Sequence, residues 1–344
     1  MTNTKSKKKV LLINLGSPQA PTREAVHVYL KQFLMDPYVI DIPFLFRWFL
    51  INGIILRKRP RESAKAYAKI WKDGSPLIQH SAALKEKVQE QLGDDYAVEL
   101  GMRYGHPSIS EALNNLEKEN GSEPIIVVPL YPQYSLAATE SCIQETRVVA
   151  KKMKIKNPLH FVGTFYHRDD FLSAFTAHVE QEIKIFNPDH VIFSFHGLPE
   201  RHIKKTDTTK NYCLKSKTCC ETLTEKNKNC YRAQSFFTAR GIAQKLNLSA
   251  QKYSVSFQSR LGRTPWIKPY TDFLYKELAD RGVKKILVVS PSFVADCLET
   301  LEEIALRGRD DFIAHGGADL RLVPSLNSSK AWVQVVSDLV MQQK

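Results

Sequence analysis

Several common functional signatures are absent from this sequence of 344 residues. It contains no G-x-G-x-x-G dinucleotide fingerprint, no P-loop and no G-x-S-x-G nucleophile elbow, which argues against nucleotide-dependent chemistry and against a serine hydrolase. The paired C-x2-C spacing of a zinc ribbon is also missing. With 43% hydrophobic and 25% charged residues the chain is nevertheless an ordinary globular protein, and its length suits two domains.

Long hydrophobic runs are equally scarce. No segment reaches the roughly 18 apolar residues of a membrane-spanning helix, and the apolar run after the basic N-terminus is too short for a secretory signal, so we expect a cytoplasmic protein. The stretch 42–56, IPFLFRWFLINGIIL, is interrupted by Arg47 and Asn52 and is followed by basic residues 57–59. It predicts either a buried or interfacial helix, or an exposed lip that rests on the inner face of the membrane and admits a large apolar ligand.

Acidic residues are fewer than basic residues in this chain. Lys and Arg number 49 against 36 Asp and Glu, which gives a formal net charge of +13. Such an excess suits nucleic acid, a membrane surface or an anionic ligand. Because the sequence has no basic stripe interleaved with aromatic residues and no zinc-finger spacing, nucleic acid is the least supported of these partners, and we expect none.

Apolar strand patterns alternate with amphipathic helix patterns in two similar halves. Strands are predicted to begin near Val10, Val98, Pro124, Leu159, His190, Tyr253, Lys285 and Leu320. This alternation predicts an α/β protein of two similar Rossmann-like domains, each with a parallel four-stranded sheet flanked by helices. We place the domains at residues 1–165 and 166–325, and we expect a final helix within 326–344 to pack back on the first domain.

Polar loops follow the predicted strands, and ligands of open α/β sheets bind outside the carboxyl ends of the strands. His196, in FSFHGLPE, follows one apolar strand, and the acidic run ADCLETLEEI at 295–304 follows another. A base that titrates in the neutral range, beside a carboxylate cluster, suits metal binding coupled to proton removal. Glu299 lies three residues after Asp296, however, which is the spacing of a capping box, so a structural role is the alternative.

Other loops at strand ends predict the lining of a pocket. The candidate ligand-binding residues in them are Arg103, Tyr104, Tyr131, Tyr134 and Ser135. Core packing is the alternative for Tyr131 and Tyr134. In the acidic run, a helix would place Glu299 and Glu303 on one face with Glu302 beside them, and their carboxylates would repel one another unless a cation or proton were present.

Four of the six cysteines crowd into one insert at residues 211–231. They are Cys213, Cys219, Cys220 and Cys230. Because a cytosolic setting disfavours structural disulfides, this clustering indicates a metal or an iron–sulfur centre. The adjacent pair fits a [2Fe-2S] cluster better than a zinc ribbon, with zinc or free thiols as alternatives. Cys142 and Cys297 are expected to be core or loop thiols.

The motifs of the chain, taken in order, resemble those of the ferrochelatase family over nearly its whole length. They are NLGSP, YAKIWKDGSPL, MRYGHP, LYPQYS, SFHGLP, QSRLGRTPW and DCLETLEEI. The resemblance implies the chelatase fold and the insertion of ferrous iron into a porphyrin, the last step of haem biosynthesis. It maps the essential histidine of the family to His196, the essential glutamate to Glu299 and a further acidic position to Glu303. The Asp-Cys-Leu-Glu form at Cys297 resembles a branch common in Gram-negative bacteria, which favours protoporphyrin over coproporphyrin.

The resemblance also implies roles for the candidate residues. His196 would accept pyrrole protons, His196 and Glu299 would meet the metal, and Arg103 would reach a porphyrin propionate while Tyr131 and Tyr134 contact the ring face. Several members of the family carry a [2Fe-2S] cluster, often with ligands near the C-terminus, and here the internal insert would be its equivalent. Two other kinds of function stay open at this point: another tetrapyrrole chelatase, acting on coproporphyrin or sirohydrochlorin, and a two-lobed ligand-binding protein without catalysis.

Overall fold

The two halves predicted from the sequence form two separate parallel sheets in the computed structural model, which describes residues 6–260, 262 and 264–343. Unit 1 contains the described residues up to Tyr131, together with Leu136–Gly163 and those from Asn327 onward. Unit 2 contains Pro132–Ser135 and Thr164–Leu326.

Four parallel strands form the sheet of unit 1. They are β1 (Lys8–Gly16), β2 (Tyr96–Tyr104), β3 (Ile125–Pro129) and β4 (Leu159–Phe161). Their order is β2-β1-β3-β4, so β1 lies in the centre and pairs with β2 and β3. Its nearly continuous burial matches its apolar sequence, as expected for a strand covered on both faces.

Helices connect and cover the strands of unit 1. They are α1 (Arg23–Leu34), α2 (Phe44–Trp48), α3 (Leu56–Ile70), α4 (Pro76–Leu92), α5 (Ile109–Leu116) and α6 (Ser141–Met153), with π-helices at Phe49–Ile55 and Leu136–Glu140. Helix α5 begins with a capping box, in which Ser108 Oγ accepts from the Glu111 N–H at 3.2 Å and Glu111 Oε2 accepts from the Ser108 N–H at 2.6 Å. The cap starts α5 just beyond the carboxyl end of β2.

The sheet of unit 2 repeats that of unit 1. Its strands are β5 (His190–His196), β6 (Tyr253–Gln258), β7 (Lys285–Val289) and β8 (Asp319–Leu322), in the order β6-β5-β7-β8. The prediction of two similar α/β halves with parallel four-stranded sheets is confirmed. Because the chain passes from β5 to one neighbour and then to the other, the carboxyl end of β5 is the switch point at which open α/β sheets bind ligands.

The remaining helices follow in chain order. They are α7 (Asp169–Phe186), α8 (Glu200–Thr206), α9 (Tyr231–Lys245), α10 (Thr271–Asp280), α11 (Leu298–Thr300), α12 (Arg309–Ala314) and α13 (Lys330–Met341), with a π-helix at Leu301–Gly308. Helix α13 belongs to unit 1, where Gln91 Nε2 of α4 donates to Gln334 Oε1 at 2.6 Å. The core beneath β5 and β7 contains Ile192, Val288 and Leu278, all fully or almost fully buried.

Candidate functional site

His196 is the last residue of the central strand β5, at the switch point of the unit 2 sheet. Its Nδ1 lies 2.6 Å from the carbonyl oxygen of Gly197, and its backbone N–H donates to Ser292 Oγ at 3.3 Å. Since a carbonyl oxygen only accepts, we assign the ring proton to Nδ1, which leaves a lone pair on Nε2. An imidazole in this tautomer acts through Nε2 as a base or a metal ligand.

The turn after His196 packs tightly against β6. The Gly197 N–H donates to the Gln258 carbonyl oxygen at 2.7 Å, and a Cβ on residue 197 would lie 2.7 Å from the same oxygen. Only glycine allows the two backbones to approach this closely. The direction of the His196 ring therefore depends on this contact between the ends of β5 and β6.

The acidic run 295–304 follows β7 and forms α11 and the first half of the π-helix. Its N-cap is Cys297, which shares a capping box with Thr300: the Cys297 N–H donates to Thr300 Oγ1 at 3.0 Å. Asp296 instead accepts from Thr300 Oγ1 and from the Ser325 N–H, each at 3.2 Å. The Glu299 side chain hydrogen-bonds with the thiol of Cys297, the N-cap residue, so the capping alternative for Glu299 stays open.

The Glu303 carboxylate lies close to the end of β6, where Ser259 Oγ donates to its Oε2 at 2.5 Å. Burial raises the pKa of Glu303, although the Ser259 hydrogen bond and the charge of Arg307 oppose that rise. His196 and Glu299 also act on this pKa, in opposite directions, so the structure brings these three predicted residues into one neighbourhood. A carboxyl group with a raised pKa exchanges protons closer to neutral pH than an ordinary glutamate.

The four cysteines of the insert are buried, and their sulfur atoms form a chain of contacts. Cys219 Sγ lies 3.7 Å from Cys220 Sγ, and the Cys230 thiol hydrogen-bonds with Cys220 and with Cys213. None of them forms a disulfide. The Cys213 hydrogen bond, followed by burial, raises the pKa of Cys230 to about 12.

No group of three or more His, Cys, Asp or Glu side chains is arranged to hold a metal ion within the described ranges 6–260, 262 and 264–343. The case that the four cysteines could hold an iron–sulfur cluster therefore depends on their burial and on their pairwise sulfur contacts. A donor set of four thiols is the set that [2Fe-2S] clusters use, and the chain of contacts keeps these thiols adjacent.

Two polar residues organise the insert in place of an apolar core. Asp207 accepts from the N–H groups of Thr209, Tyr212 and Cys213 at 2.8–2.9 Å, and although burial opposes its charge, these bonds lower its pKa to about 2. Asn227, which is 1% exposed, donates to the carbonyls of Cys219 and Thr222 at 2.8 and 2.9 Å. The path of the insert is thus fixed largely by hydrogen bonds.

Arg103 and Tyr104, at the end of β2 in unit 1, are held by a buried carboxylate. Asp36 Oδ2 accepts from Arg103 Nη2 at 2.5 Å, from the Tyr104 hydroxyl at 2.7 Å and from Ser141 Oγ at 2.5 Å. Tyr104 is fully buried, and Arg103 also faces Glu145 at 3.6 Å. The contact between Arg103 and a propionate stays a prediction. The Arg103 guanidinium already has two carboxylates near it, those of Asp36 and Glu145.

The other candidate residues lie in the loop after β3. The Tyr131 hydroxyl accepts from Cys142 Sγ at 3.7 Å in unit 1, and burial raises the pKa of Cys142 to about 12. In unit 2, the Tyr134 N–H donates to Gln234 Oε1 at 2.6 Å, and Ser135 is buried. The contribution of Tyr131, Tyr134 and Ser135 to ligand binding stays a prediction.

The apolar stretch 42–56 lies at the surface. Its side chains Phe44, Leu45, Phe46, Phe49 and Ile54 are 59–70% exposed. Arg47, which the sequence places as an interruption, is buried instead, and its Nη1 donates to the carbonyls of Ile40 and Ile42 at 3.0 Å each. No helix of the described residues is both long and apolar enough to span a bilayer. The stretch therefore forms an exposed apolar lip on unit 1.

Asp36, Ser259, Ser292 and Tyr231 hold the predicted residues in place but were not singled out from the sequence. Ser259 and Ser292 follow strands β6 and β7, so their position at the carboxyl edge is a signal that would have found them. Asp36 follows a helix and Tyr231 begins one. Nothing in their local sequence marks them.

Structural neighbours define the class of protein. SirB from Bacillus subtilis with Fe3+ aligns over 98% of this chain and 95% of its own length, with a TM-score of 0.55 at 13% identity. The sirohydrochlorin chelatase SirB from Bacillus subtilis subspecies spizizenii, in complex with cobalt, aligns over 98% and 94% with a TM-score of 0.53 at 11% identity. At such identities the likeness shows the fold alone, and that fold is the two-domain chelatase fold.

Sequence relatives then define the family. A profile of the ferrochelatase family matches residues 7–344. Proteins named ferrochelatase from Coxiella burnetii and Azotobacter vinelandii are each 47% identical over 96% of this chain, and cover 92% and 97% of their own lengths. A ferrochelatase from Bdellovibrio bacteriovorus is 43% identical over 97% of this chain and 98% of its own. The chain belongs to the ferrochelatase family.

Proposed function

We propose that this chain is a lyase that inserts ferrous iron into protoporphyrin IX to form protohaem, the last step of haem biosynthesis. Family membership supports the reaction. The observation that carries it in this chain is the His196 side chain at the switch point of unit 2, with its Nδ1 bound to the Gly197 carbonyl and with Glu303 nearby.

Metal insertion removes both pyrrole protons from the porphyrin while ferrous iron exchanges its waters for ring nitrogens. The lone pair on His196 Nε2 accepts a pyrrole proton, and the Nδ1 contact keeps the ring in the tautomer that this step needs. Glu303, whose pKa is raised by burial, takes protons onward, with Ser259 fixing its position. Glu299 supplies an oxygen for the arriving iron, and His196 would meet the iron only before its single Nε2 lone pair accepts the proton.

Turnover with purified protein tests this function directly. Under anaerobic conditions, protoporphyrin IX and ferrous iron should give haem, followed by its absorption spectrum, and coproporphyrin should react more slowly. Faster metallation of coproporphyrin or of sirohydrochlorin would assign a different chelatase substrate. Tight porphyrin binding without metallation would favour the ligand-binding protein.

The second part of the proposal concerns the insert. Cys213, Cys219, Cys220 and Cys230 hold a [2Fe-2S] cluster, supported by their burial and their contiguous sulfur contacts. Such a cluster would cross-link the insert, whose path is otherwise fixed by hydrogen bonds to Asp207, just before it, and to Asn227 within it. Its role is structural or sensing, because porphyrin metallation involves no net electron transfer.

Chemical analysis distinguishes the occupants of the insert. A [2Fe-2S] cluster predicts about two iron and about two acid-labile sulfide per chain, with loss of colour after Cys213→Ser or Cys220→Ser. Cys142→Ser is the matched control, because this buried thiol lies in unit 1. If anaerobically prepared protein contains one zinc per chain and no sulfide, the insert is a zinc site and not a [2Fe-2S] site.

The apolar lip is proposed to rest on a membrane surface, on the inner face if the protein is cytoplasmic. Its exposed aromatic and aliphatic side chains support this, as do the exposed basic residues Arg57, Lys58 and Arg59 that follow. Vesicles that contain anionic lipid should retain the protein, and the double variant Phe46→Ser/Phe49→Ser should release it. Equal retention of both proteins would contradict the proposal.

The remaining predictions from the sequence are kept as proposals. Arg103, Tyr104, Tyr131, Tyr134 and Ser135 form part of the porphyrin site. Residues 1–165 and 166–325 behave as domains, with a C-terminal helix in 326–344. Limited proteolysis tests the domain division, and the porphyrin KM of an Arg103→Gln variant tests the propionate contact.

A further inference from the structure

The last cysteine of the insert directly precedes a residue that contacts His196. Cys230 is the N-cap of α9, and Tyr231 is the first residue of that helix. The Tyr231 side chain is buried, and its hydroxyl group hydrogen-bonds with the side chains of Ser292 and Ser235 and with the backbone of His196. Two adjacent residues therefore belong to different sites. Cys230 is one of the four cysteines of the insert, and Tyr231 is part of the surroundings of His196.

The His196 backbone is held by its pairing with Gln258 of β6 and also by this group of hydroxyls. Its N–H donates to Ser292 Oγ at 3.3 Å, and Ser292 in turn contacts the Tyr231 hydroxyl. The Nδ1 atom contacts the carbonyl of the next residue, Gly197, at 2.6 Å. Because the ring is oriented by a contact with its own backbone, a shift of the hydroxyls that meet this backbone would alter the direction of the Nε2 lone pair.

The same turn of α9 makes a second connection. Gln234 Nε2 donates to the Lys228 carbonyl inside the insert at 2.6 Å, and its Oε1 accepts from the Tyr134 N–H at 2.6 Å. Tyr231 and Gln234 are three residues apart and so lie on one face of the helix. The first turn of α9 thus joins the insert both to His196 and to Tyr134.

We propose that Tyr231 is a positioning residue that couples the cysteine insert to His196. A change in what the four thiols hold moves Cys230, and with it the start of α9 and the Tyr231 hydroxyl. His196 then loses its productive direction although the insert contributes no side chain that meets the porphyrin. This inference rests on the proposed function for its effect on turnover, whereas the coupling itself is a property of the protein that is measurable without turnover.

The Tyr231→Phe variant removes the hydroxyl and keeps the ring. We expect kcat to fall by about tenfold to a hundredfold while the porphyrin KM changes less than about twofold, because misorientation affects the proton-transfer step rather than binding. The His196 ring signals of protein labelled with ¹⁵N-histidine should shift. Tyr253→Phe is the matched control, since this residue lies at the amino end of β6 in the same unit.

A double-variant comparison tests the coupling. Cys213→Ser, which alters the thiol group at a distance from Tyr231 in the chain, should shift the His196 signals in the otherwise unchanged protein but not in the Tyr231→Phe background. Equal shifts in both backgrounds would overturn the proposal, as would His196 signals in Tyr231→Phe that match those of Tyr253→Phe. These spectra do not require turnover, so absence of haem formation would reject the proposed function alone.

Discussion

The two sheets have the same strand order but carry different chemistry at their carboxyl ends. In unit 1, the end of β2 is neutralised: Asp36 accepts from Arg103, Tyr104 and Ser141, and all of these contacts are 2.7 Å or shorter. In unit 2, His196 keeps its Nε2 lone pair, and burial raises the pKa of the neighbouring Glu303. A duplicated scaffold thus supports a closed ion pair in one copy and, in the other, a histidine near a carboxyl group with a raised pKa.

The carboxyl ends of the two sheets therefore contribute differently to stability and to chemistry. A carboxylate surrounded by three donors is costly to disturb but has no capacity left for an incoming ligand. In unit 2 the carboxyl group has a hydroxyl donor and a more distant guanidinium, and the histidine keeps one ring nitrogen for a ligand or a proton. We therefore expect substitutions of His196 and Glu299 in unit 2 to affect turnover and substitution of Asp36 in unit 1 to affect stability.

The largest effect is expected for His196→Ala. Loss of the Nε2 base should reduce metal insertion by about a thousandfold, within the range found for general bases, while porphyrin binding persists. Haem formation and porphyrin fluorescence titration measure the two properties. His315→Ala, at the exposed end of α12, is the control and should be fully active. If His196→Ala turns over within a few-fold of the unchanged protein, His196 is not the base, and the expected difference between the carboxyl ends of the two sheets is wrong.

Glu299→Gln is expected to have the second-largest effect. It removes charge but keeps shape and a side-chain oxygen that can still accept from the thiol of the N-cap residue Cys297, so the melting temperature should stay nearly constant. Turnover should drop by about a hundredfold if this carboxylate meets the metal. Glu277→Gln on α10 controls for a general charge effect. A changed melting temperature with normal turnover would return Glu299 to a structural role.

Asp36→Asn should have the opposite profile. It leaves the Arg103 guanidinium without its closest carboxylate, which costs on the order of 3 kcal/mol when an ion pair is buried. Unit 1 should therefore melt several degrees lower, as followed by calorimetry, and Asp94→Asn in an exposed turn should not. An unchanged melting temperature together with lost turnover would place Asp36 in the chemistry instead.

The smallest effect concerns His190, at the opposite end of β5 from His196. Burial, with the charges of Arg281 and Lys252, lowers the pKa of His190 to about 4. Between about pH 6.5, the ordinary pKa of histidine, and about pH 4, the unfolded chain binds the His190 proton more readily than the folded chain does. The contribution of neutral His190 to stability is therefore fully present at neutral pH and is lost as the pH falls through this interval. His190→Gln should flatten this loss, which is on the order of 2 kcal/mol, in denaturation curves at pH 7 and pH 4.5. Parallel curves for both proteins would contradict the expected pKa.

Much of the fold was predictable because its signals are local. Apolar runs such as HVIFSF and KILVV are buried on both faces wherever they pair, so their positions gave β5 and β7 without knowledge of the sheet order. His196 was equally accessible, since a polar residue at the end of such a strand lies at the carboxyl edge whatever its neighbours are. The π-helix at Leu301–Gly308 was not predicted, because its wider turn depends on tertiary packing rather than on residue type.

By itself, the sequence determined two parallel α/β units, the strand-end position of His196 and of the acidic run, and the clustering of four cysteines, because each depends on periodicity or on spacing along the chain. Only the tertiary structure decided the pairings. It gave the N-cap to Cys297 rather than Asp296, enclosed Arg103 with Asp36, buried Arg47 beneath an exposed lip and set the Tyr231 hydroxyl against the His196 backbone. These contacts join residues far apart in the chain, and which partner a buried polar group finds is settled by packing.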